Sequence, residues 1–293
     1  MKIIQGDRLE PDARSSHRGG IVSYLRLLDG DPDAIDNFSL VLARTPGRFS
    51  PRHRHNFEQF RYQLEGTADY GRTGKLKPGM IGYFPEGVHY GPQTQAEGDE
   101  LAMLVLQCGG ASGGGYLGRE GEVAYTEELK KLGVFKDGVY HRNPGVPGKR
   151  NVDAFQAIWE HVHQRPMVYP KARYDVPILM HPDAFEWVPV VGADGVYGKA
   201  LGTFTERRTA AEFLKLDRGA AHDLTGRRDI FFVVKGTGSI GREPLRRMTT
   251  VWLDKGDKAR IKAVDELELL NYRLPDLAGM KSQASSRPAE AAE

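Results

Sequence analysis

The sequence lacks several features, and each absence excludes a class of protein. Its 293 residues include one cysteine, Cys108, so no intrachain disulfide can form and a reducing compartment is expected. No apolar run reaches the roughly 18 residues of a membrane helix, and the first residues lack the apolar segment of a signal peptide. We therefore expect a cytoplasmic protein with no membrane partner.

An excess of charge of one sign is also missing. Lysine and arginine total 41 and aspartate and glutamate total 39, which leaves a formal net charge of +2. Such a balanced surface gives no reason to expect nucleic acid or an anionic membrane as a partner.

Glycine is abundant, with 35 residues, and 17 prolines are scattered through the chain. Short apolar runs separated by glycine or proline turns recur at roughly ten-residue spacing, which predicts an all-β sandwich or barrel. The run RDIFFVVKGTGSI matches EQFRYQLEGTADY glycine on glycine, so we infer an internal repeat of two β domains.

The β rhythm is interrupted once, by a glycine-rich stretch that we interpret as a flexible connection and by two helical patterns. This interruption and the composition of the ends divide the chain into five segments. The predicted segments are an N-terminal arm (1–18), a first β domain (19–108), a glycine-rich loop with a helical connection (109–176), a second β domain (177–275) and a disordered tail (276–293).

Three histidines and one glutamine stand close together in the first β domain. His53 and His55 form an H-x-H pair, and side chains two apart on a strand point to the same side. Gln59 follows four residues later, and His89 comes after a turn that precedes a later strand. Three imidazoles and one amide oxygen would leave open positions for water, oxygen or substrate on a bound metal.

The landmarks of this stretch occur in a recognisable order: a glycine, the H-x-H pair, an amide and a second glycine, followed by a Gly, Pro, Gly and His series. They are Gly47, His53, His55, Gln59, Gly66, Gly79, Pro85, Gly87 and His89. They resemble the two motifs of the cupin family. The resemblance implies an all-β fold of two tandem cupin (double-stranded β-helix, jelly-roll) barrels joined by a short helical segment, and assembly into a homo-oligomer.

The motifs depart from the family at two places. Gln59 stands where the family has a metal-binding glutamate, and one residue instead of two separates Gly87 from His89. The resemblance implies one divalent transition metal on His53, His55, Gln59 and His89, with Fe(II) favoured and Mn, Ni, Zn or Cu as alternatives. Gln59 either binds this metal directly or holds a ligand through a hydrogen bond.

If Gln59 points into the barrel, strand parity turns Arg61 and Gln63 inward as well. An arginine inside a barrel is costly unless it is paired. Arg61 therefore binds an anionic group of the substrate, pairs with an internal acid such as Glu65, or turns outward at a bulge. Gln63 and Gln107 are further substrate-binding candidates, because Gln107 shares the apolar side of its own strand.

Three functions fit these residues. The favoured one is a metal-dependent, dioxygenase-like oxygenase for a small anionic, aromatic or enolic substrate, with Arg61 as anchor and Glu58 or Tyr83 assisting proton transfer. The alternatives are a metal-assisted isomerase, lyase or hydrolase, and a non-catalytic small-molecule-binding protein. The second β domain has Asp229 at the position of Gln59 and lacks the histidine pair, so we expect it to be structural.

Overall fold

The structure is a computed structural model that describes residues 1–18, 20–47, 49–96 and 98–280. The first twelve strands in chain order are β1 (Lys2–Gln5), β2 (Asp12–Ser15), β3 (Ile21–Asp29), β4 (Phe38–Thr45), β5 (Glu58–Glu65), β6 (Ala68–Asp69), β7 (Lys75–Leu76), β8 (Ile81–Phe84), β9 (Leu101–Cys108), β10 (Gly133–Lys136), β11 (Val139–Arg142) and β12 (Asn151–Asp153).

The remaining strands follow in the second half of the chain. They are β13 (Ile178–Met180), β14 (Val188–Pro189), β15 (Val196–Thr203), β16 (Ala210–Leu216), β17 (Ala221–Thr225), β18 (Asp229–Lys235), β19 (Gly238–Ile240), β20 (Glu243–Leu245), β21 (Thr249–Leu253), β22 (Lys258–Ala263) and β23 (Leu267–Arg273). The helices are α1 (Arg119–Lys130), α2 (Ala154–His163) and three 3-10 turns at Gly6–Arg8, Gly71–Thr73 and Pro182–Ala184.

The chain divides into two compact units. The N-terminal unit contains Pro11–Leu179, and the C-terminal unit combines Met180–Ala278 with Met1–Glu10. The large sheet of the N-terminal unit has the order β13-β8-β5-β9-β4-β3-β2, and α1, α2 and the sheet β10-β11-β12 belong to the same unit. The C-terminal unit has a seven-stranded sheet, β1-β21-β18-β23-β16-β15-β14, and a four-stranded sheet, β17-β22-β19-β20.

Each unit contains the same turn after its central strand, which supports the internal repeat. In the N-terminal unit β5 lies between β8 and β9, and in the C-terminal unit β18 lies between β21 and β23. Gly66 and Gly236 follow these strands with φ of +69° and +82°. A Cβ atom at either glycine would lie 2.3 Å from the carbonyl oxygen of Glu100 or 1.8 Å from that of Glu266, so both positions require glycine.

The first 18 residues, predicted as an N-terminal arm, instead contain two strands that belong to the seven-stranded sheets. β1 pairs with β21, with Lys2 opposite Trp252, and β2 pairs with β3. Edge pairing of this kind depends on a partner strand far away in the sequence, so polar composition alone does not reveal it. Of the predicted disordered tail, residues 281–293 lie outside the described residues, whereas Leu277 is buried at 3% exposure and the Asp276 amide donates to Arg207.

The glycine-rich loop is a packed element, which corrects the prediction of a flexible connection. Most of residues 109–113 are buried, and a Cβ atom on Gly110 would lie 2.1 Å from Oε2 of Glu86. The Glu86 carboxylate accepts hydrogen bonds from the Ser112 amide (2.9 Å), the Ser112 hydroxyl (2.6 Å) and Nη1 of Arg173 (2.5 Å). The glycines let the backbone approach this buried acid closely.

The two barrels differ in what their central strands bury. β18 contributes Phe231 and Val233 to an apolar core, whereas the aligned positions of β5 hold Arg61 and Gln63. Both of these polar residues are nevertheless buried, at 8% and 0% exposure. Buried polar side chains need hydrogen-bond partners, so the interior of the N-terminal barrel contains polar groups where the interior of the C-terminal barrel is apolar. A polar interior is where a small-molecule site is expected.

Candidate small-molecule site in the N-terminal barrel

The N-terminal barrel encloses a cavity of about 80 Å³. Its wall combines residues from β3, β4, β5 and β9 with the segment 16–18 and with one residue from each helix, Glu122 and Phe155. β5 contributes Gln59 and Arg61, because its alternating side chains place these two residues on one face. Strand parity predicted that the two side chains share a face, and of the alternatives left open for Arg61 the structure excludes an outward turn.

Arg61 is the centre of the polar network in this wall. Its Nη1 atom donates to the Tyr70 hydroxyl at 2.8 Å and to Oε1 of Gln93 at 2.9 Å. Its Nη2 atom donates to Oε1 of Gln59 and to the Tyr90 hydroxyl, both at 2.9 Å. The guanidinium carbon also lies 4.4 Å from the centre of the Phe84 ring, within the range of a cation–π contact.

All four partners of Arg61 are neutral. Within the described ranges no carboxylate lies within ion-pair distance of Arg61, and Glu65 instead forms an exposed pair with Arg44. Burial lowers the pKa of Arg61, but Tyr70 and Tyr90 raise it, so that the net pKa lies above its usual value. The wall therefore contains a buried, fully protonated cation that the fold does not neutralise.

The neighbours of His53 determine which of its two ring nitrogens carries the proton. Nδ1 lies 2.6 Å from the Pro51 carbonyl oxygen and must donate to it, so Nε2 accepts from the Tyr90 hydroxyl at 2.9 Å. The Tyr90 oxygen then accepts from Arg61 and from Nε2 of Gln59, at 3.0 Å. Burial, the charge of Arg18 and neighbouring His55 hold the pKa of His53 well below its ordinary value, and the ring is neutral.

His89 does not reach the cavity, which corrects its predicted role as a metal ligand. Its side chain is exposed, while Tyr90, at 2% exposure, points inward and bridges back to His53. Alternation along the extended backbone allows only one of two consecutive side chains to face inside. Two residues separate Gly87 from Tyr90, which is the separation usual in the cupin motif. This separation is the sequence signal that Tyr90, and not His89, faces the interior.

Glu58 and Tyr83 also lie away from the cavity, and these positions do not support the catalytic roles predicted for them. Glu58 is fully buried on the opposite face of β5, where Oε1 accepts from the Ala111 amide at 3.2 Å. The Tyr83 ring packs on Phe60, with centroids 5.0 Å apart. Burial and the nearby Glu58 carboxylate raise the pKa of Tyr83, which makes this phenol a poor proton donor.

The two glutamines predicted to bind substrate have different positions. Gln107 lines the cavity and accepts from the Tyr116 hydroxyl at 3.0 Å. Gln63 is buried and donates to the Glu65 carbonyl oxygen at 2.6 Å, and it is not part of the cavity wall. Gln63 is the last residue of β5 in regular register with β9, opposite Met103, and the β-bulge follows between Gln63 and Glu65.

His53, His55 and Gln59 do gather at the cavity, with 5.0 Å between the two imidazole centres, but the set does not fit a divalent metal. Nε2 of His53 and Oε1 of Gln59 already accept hydrogen bonds, and Gln59 does so from a guanidinium. No group of three His, Cys, Asp or Glu side chains suited to a metal occurs in the described part of the chain. Two unit charges 4 Å apart repel by about 4 kcal/mol at an effective dielectric constant of about 20, and a divalent ion doubles this.

A second polar pair in the wall was not recognised from the sequence. Nδ1 of His17 donates a hydrogen bond to Oε1 of Glu122, and both side chains line the same cavity as Arg61. Neighbouring Arg18 is neutralised by both oxygens of Asp153, at 2.8 and 3.1 Å. These partners come from helical segments far along the chain, so spacing gave no signal for them.

The corresponding positions of the C-terminal barrel have other partners. Asp229, which aligns with Gln59, is buried and accepts from the Arg227 amide at 2.7 Å and from Nε of Arg273 at 3.1 Å. Glu266 forms an exposed pair with Lys235 at 2.8 Å. Among the described helices, none has the length and apolar character of a membrane span.

Comparisons with known proteins identify the fold. No family model and no curated protein matches the sequence. A solved structure from Nostoc punctiforme, described as a "putative dioxygenase", matches with a TM-score of 0.62 and 12% identity over 96% of this chain and 85% of that chain. An oxalate decarboxylase variant from Bacillus subtilis matches with a TM-score of 0.53 and 14% identity over 94% of this chain and 77% of that chain.

The chain therefore has an all-β fold of two tandem cupin barrels, as the sequence predicted. Identities of 12% and 14% establish the fold alone. The function has to be argued from the residues of the cavity.

Proposed function

We propose that the N-terminal barrel binds a small carboxylate anion next to Arg61, without a metal ion. The observation that carries this proposal is a buried guanidinium in a cavity wall whose partners are all neutral. A buried charge costs several kcal/mol unless an opposite charge accompanies it. An anionic ligand in the cavity supplies the negative charge that no described side chain provides next to Arg61.

The other charges of the cavity support the same conclusion. Arg18 is paired with Asp153, and the Glu122 carboxylate accepts a hydrogen bond from Nδ1 of His17. Arg61 is thus the cavity-lining cation with no ionic partner within the described residues. A carboxylate is the matching ligand, because the buried Nε–H of Arg61 has no hydrogen-bond partner among the described residues and can donate a short, charge-assisted hydrogen bond to it.

The size of the cavity restricts the ligand. A dry engineered cavity of about 150 Å³ holds one benzene molecule. The volume of about 80 Å³ here is smaller, so it favours an aliphatic acid of a few heavy atoms over an aromatic substrate. The oxalate decarboxylase of similar fold is, by its name, an enzyme for a small dicarboxylate, which agrees with this class.

Titration calorimetry with acetate, pyruvate, oxalate and malonate tests the proposal. We expect at least one of these acids to bind, and Arg61→Met to weaken its binding about 10- to 100-fold, the usual worth of a hydrogen bond to a charged group. Arg61→Lys keeps the charge and should retain part of the affinity. Arg44→Met, which removes an exposed arginine paired with Glu65, is the matched control and should leave binding unchanged. Equal affinity in Arg61→Met and Arg44→Met, with both folded by circular dichroism, would refute the proposal.

A metal-dependent oxygenase is the second candidate. The adjacent rings of His53 and His55 favour it, and so does the description of the Nostoc punctiforme structure. This function requires the Arg61 side chain to leave its partners. Metal analysis of protein purified with added Fe(II), repeated on His53→Ala/His55→Ala, tests it together with oxygen uptake. Stoichiometric iron that the double variant loses would support the oxygenase and contradict metal-free binding.

A further inference from the structure

The pair of His17 and Glu122 has the geometry of an oriented base. The Glu122 carboxylate holds Nδ1 of His17, and both side chains are largely buried, at 12% and 18% side-chain exposure. The other ring nitrogen, Nε2, is buried and has no hydrogen-bond partner among the described residues. A carboxylate on Nδ1 fixes the tautomer in which Nε2 carries the free lone pair.

The base belongs to the cavity that contains Arg61. His17, Glu122 and Arg61 all line it. The two nitrogens of His53 are both engaged, by the Pro51 carbonyl and the Tyr90 hydroxyl, so His53 cannot take a proton without breaking a bond. Ser16 and Arg18, which flank His17 in the sequence, also line the cavity, and the ring centres of His17 and Phe155 lie 6.4 Å apart.

We propose that His17, oriented by Glu122, removes a proton from carbon in the bound acid, so that the site acts on small carboxylates with a carbonyl-activated C–H bond. This inference rests on the proposed binding function. The class includes 2-oxo acids and 1,3-dicarbonyl acids, whose C–H protons are acidic enough for an imidazole base.

The atoms and electrons of this proton transfer are all accounted for by groups in the cavity. The C–H bond breaks, the proton moves to Nε2 of His17, and the electron pair moves onto the carbonyl oxygen to give an enolate. Glu122 stabilises the imidazolium that forms, and the positive charge of Arg61 stabilises the enolate. Return of the proton to carbon completes an exchange or an isomerisation, and no oxidant is needed.

Deuterium exchange tests the inference without knowledge of the natural substrate. Pyruvate and malonate are incubated with the protein in heavy water, and the loss of their C–H signals is followed by proton NMR. We expect the protein to accelerate exchange of a probe that it binds. His17→Gln should lower the rate on the order of 100-fold, the usual share of a general base. Glu122→Gln should lower it about 10-fold.

Binding measured in parallel separates proton transfer from a structural effect. The dissociation constants of the His17→Gln and Glu122→Gln variants should stay within about twofold of the original protein, since Arg61 supplies the charge. His89→Gln, an exposed histidine of the same barrel, should change neither quantity. Binding without accelerated exchange, or exchange that survives His17→Gln, overturns this inference alone. Failure of every acid to bind overturns the proposed function as well.

Discussion

Nε2 of His53 lies 2.9 Å from the hydroxyl oxygen of Tyr90 and accepts a hydrogen bond from this hydroxyl. Because the opposite nitrogen donates to the Pro51 carbonyl, the ring must stay neutral to keep both bonds. A single phenol thus occupies the lone pair that would make His53 a metal ligand, and it also accepts from the Arg61 guanidinium. Three predictions follow from this network and from the glycine-rich loop.

The first prediction concerns pH. Burial, Arg18 and His55 lower the pKa of His53 in the folded state, whereas the unfolded state has the ordinary value of about 6.5. Above that pH the His53 ring is neutral in both states, so its titration does not lower the free energy of unfolding. Below it the unfolded state binds a proton that the folded state rejects, so the free energy of unfolding falls by up to about 1.4 kcal/mol per pH unit.

Urea unfolding at about pH 7.5 and about pH 5.5 measures this loss. His53→Gln should reduce the difference between the two pH values, and the exposed His181→Gln should not. Burial also lowers the pKa of His163 and His222, so part of the acid sensitivity should remain in His53→Gln. If the free energy of unfolding of His53→Gln changes with pH as much as that of the original protein, the His53 ring is protonated in the folded original protein at about pH 5.5, and the prediction fails.

The second prediction is that two substitutions create a metal site. Arg61→Leu removes the repelling cation, and Tyr90→His adds a third imidazole beside His53 and His55. We expect the double variant to bind Co(II) or Zn(II) at least about 100-fold more tightly than the original protein, since repulsion of about 4 kcal/mol per unit charge disappears. Arg61→Leu/Tyr90→Phe, which lacks the new imidazole, is the control. Equal Co(II) absorption spectra for the two double variants would contradict the prediction.

The third prediction concerns the glycine-rich loop. Gly110→Ala places a Cβ atom 2.1 Å from Oε2 and 2.6 Å from Cδ of Glu86, in a region that cannot expand. We expect the free energy of unfolding to fall by about 1 to 3 kcal/mol, the usual cost of overpacking. Gly47→Ala, where a Cβ atom meets nothing within 4 Å, should be nearly neutral in thermal unfolding. Shortening the acid in Gly110→Ala/Glu86→Asp should recover part of the lost free energy of unfolding. If the losses of the two single variants simply add in the double variant, the clash between residues 110 and 86 is not the cause.

The sequence was sufficient for the fold because its signals are local. Alternation along EQFRYQLE correctly turned Gln59 and Arg61 to one face, and glycine spacing revealed the repeat that Gly66 and Gly236 confirm. The same reasoning failed at the first 18 residues. There β1 forms only because β21, near the other end of the chain, presents a free edge.

The site was less predictable. Motif spacing located His53, His55 and Gln59 in the cavity wall, but it assigned the third imidazole to His89 instead of recognising Tyr90. Glu58 and Tyr83 were placed in the site by proximity in sequence, although strand parity turns both side chains to the opposite face. Proximity along a strand is a poor guide to a shared cavity when neighbouring side chains alternate.

The sequence by itself determined two β domains, a histidine pair confined to the first of them, and a shared face for Gln59 and Arg61. Those properties depend on periodicity and turn chemistry, which act over a few residues. Only the tertiary structure decided what these residues bond to. Tyr70, Tyr90 and Gln93 converge on Arg61 from other parts of the chain, and Glu122 reaches His17 from a helix. Hydrogen-bond partners that arrive from distant segments fix tautomers and charge, and no local pattern encodes them.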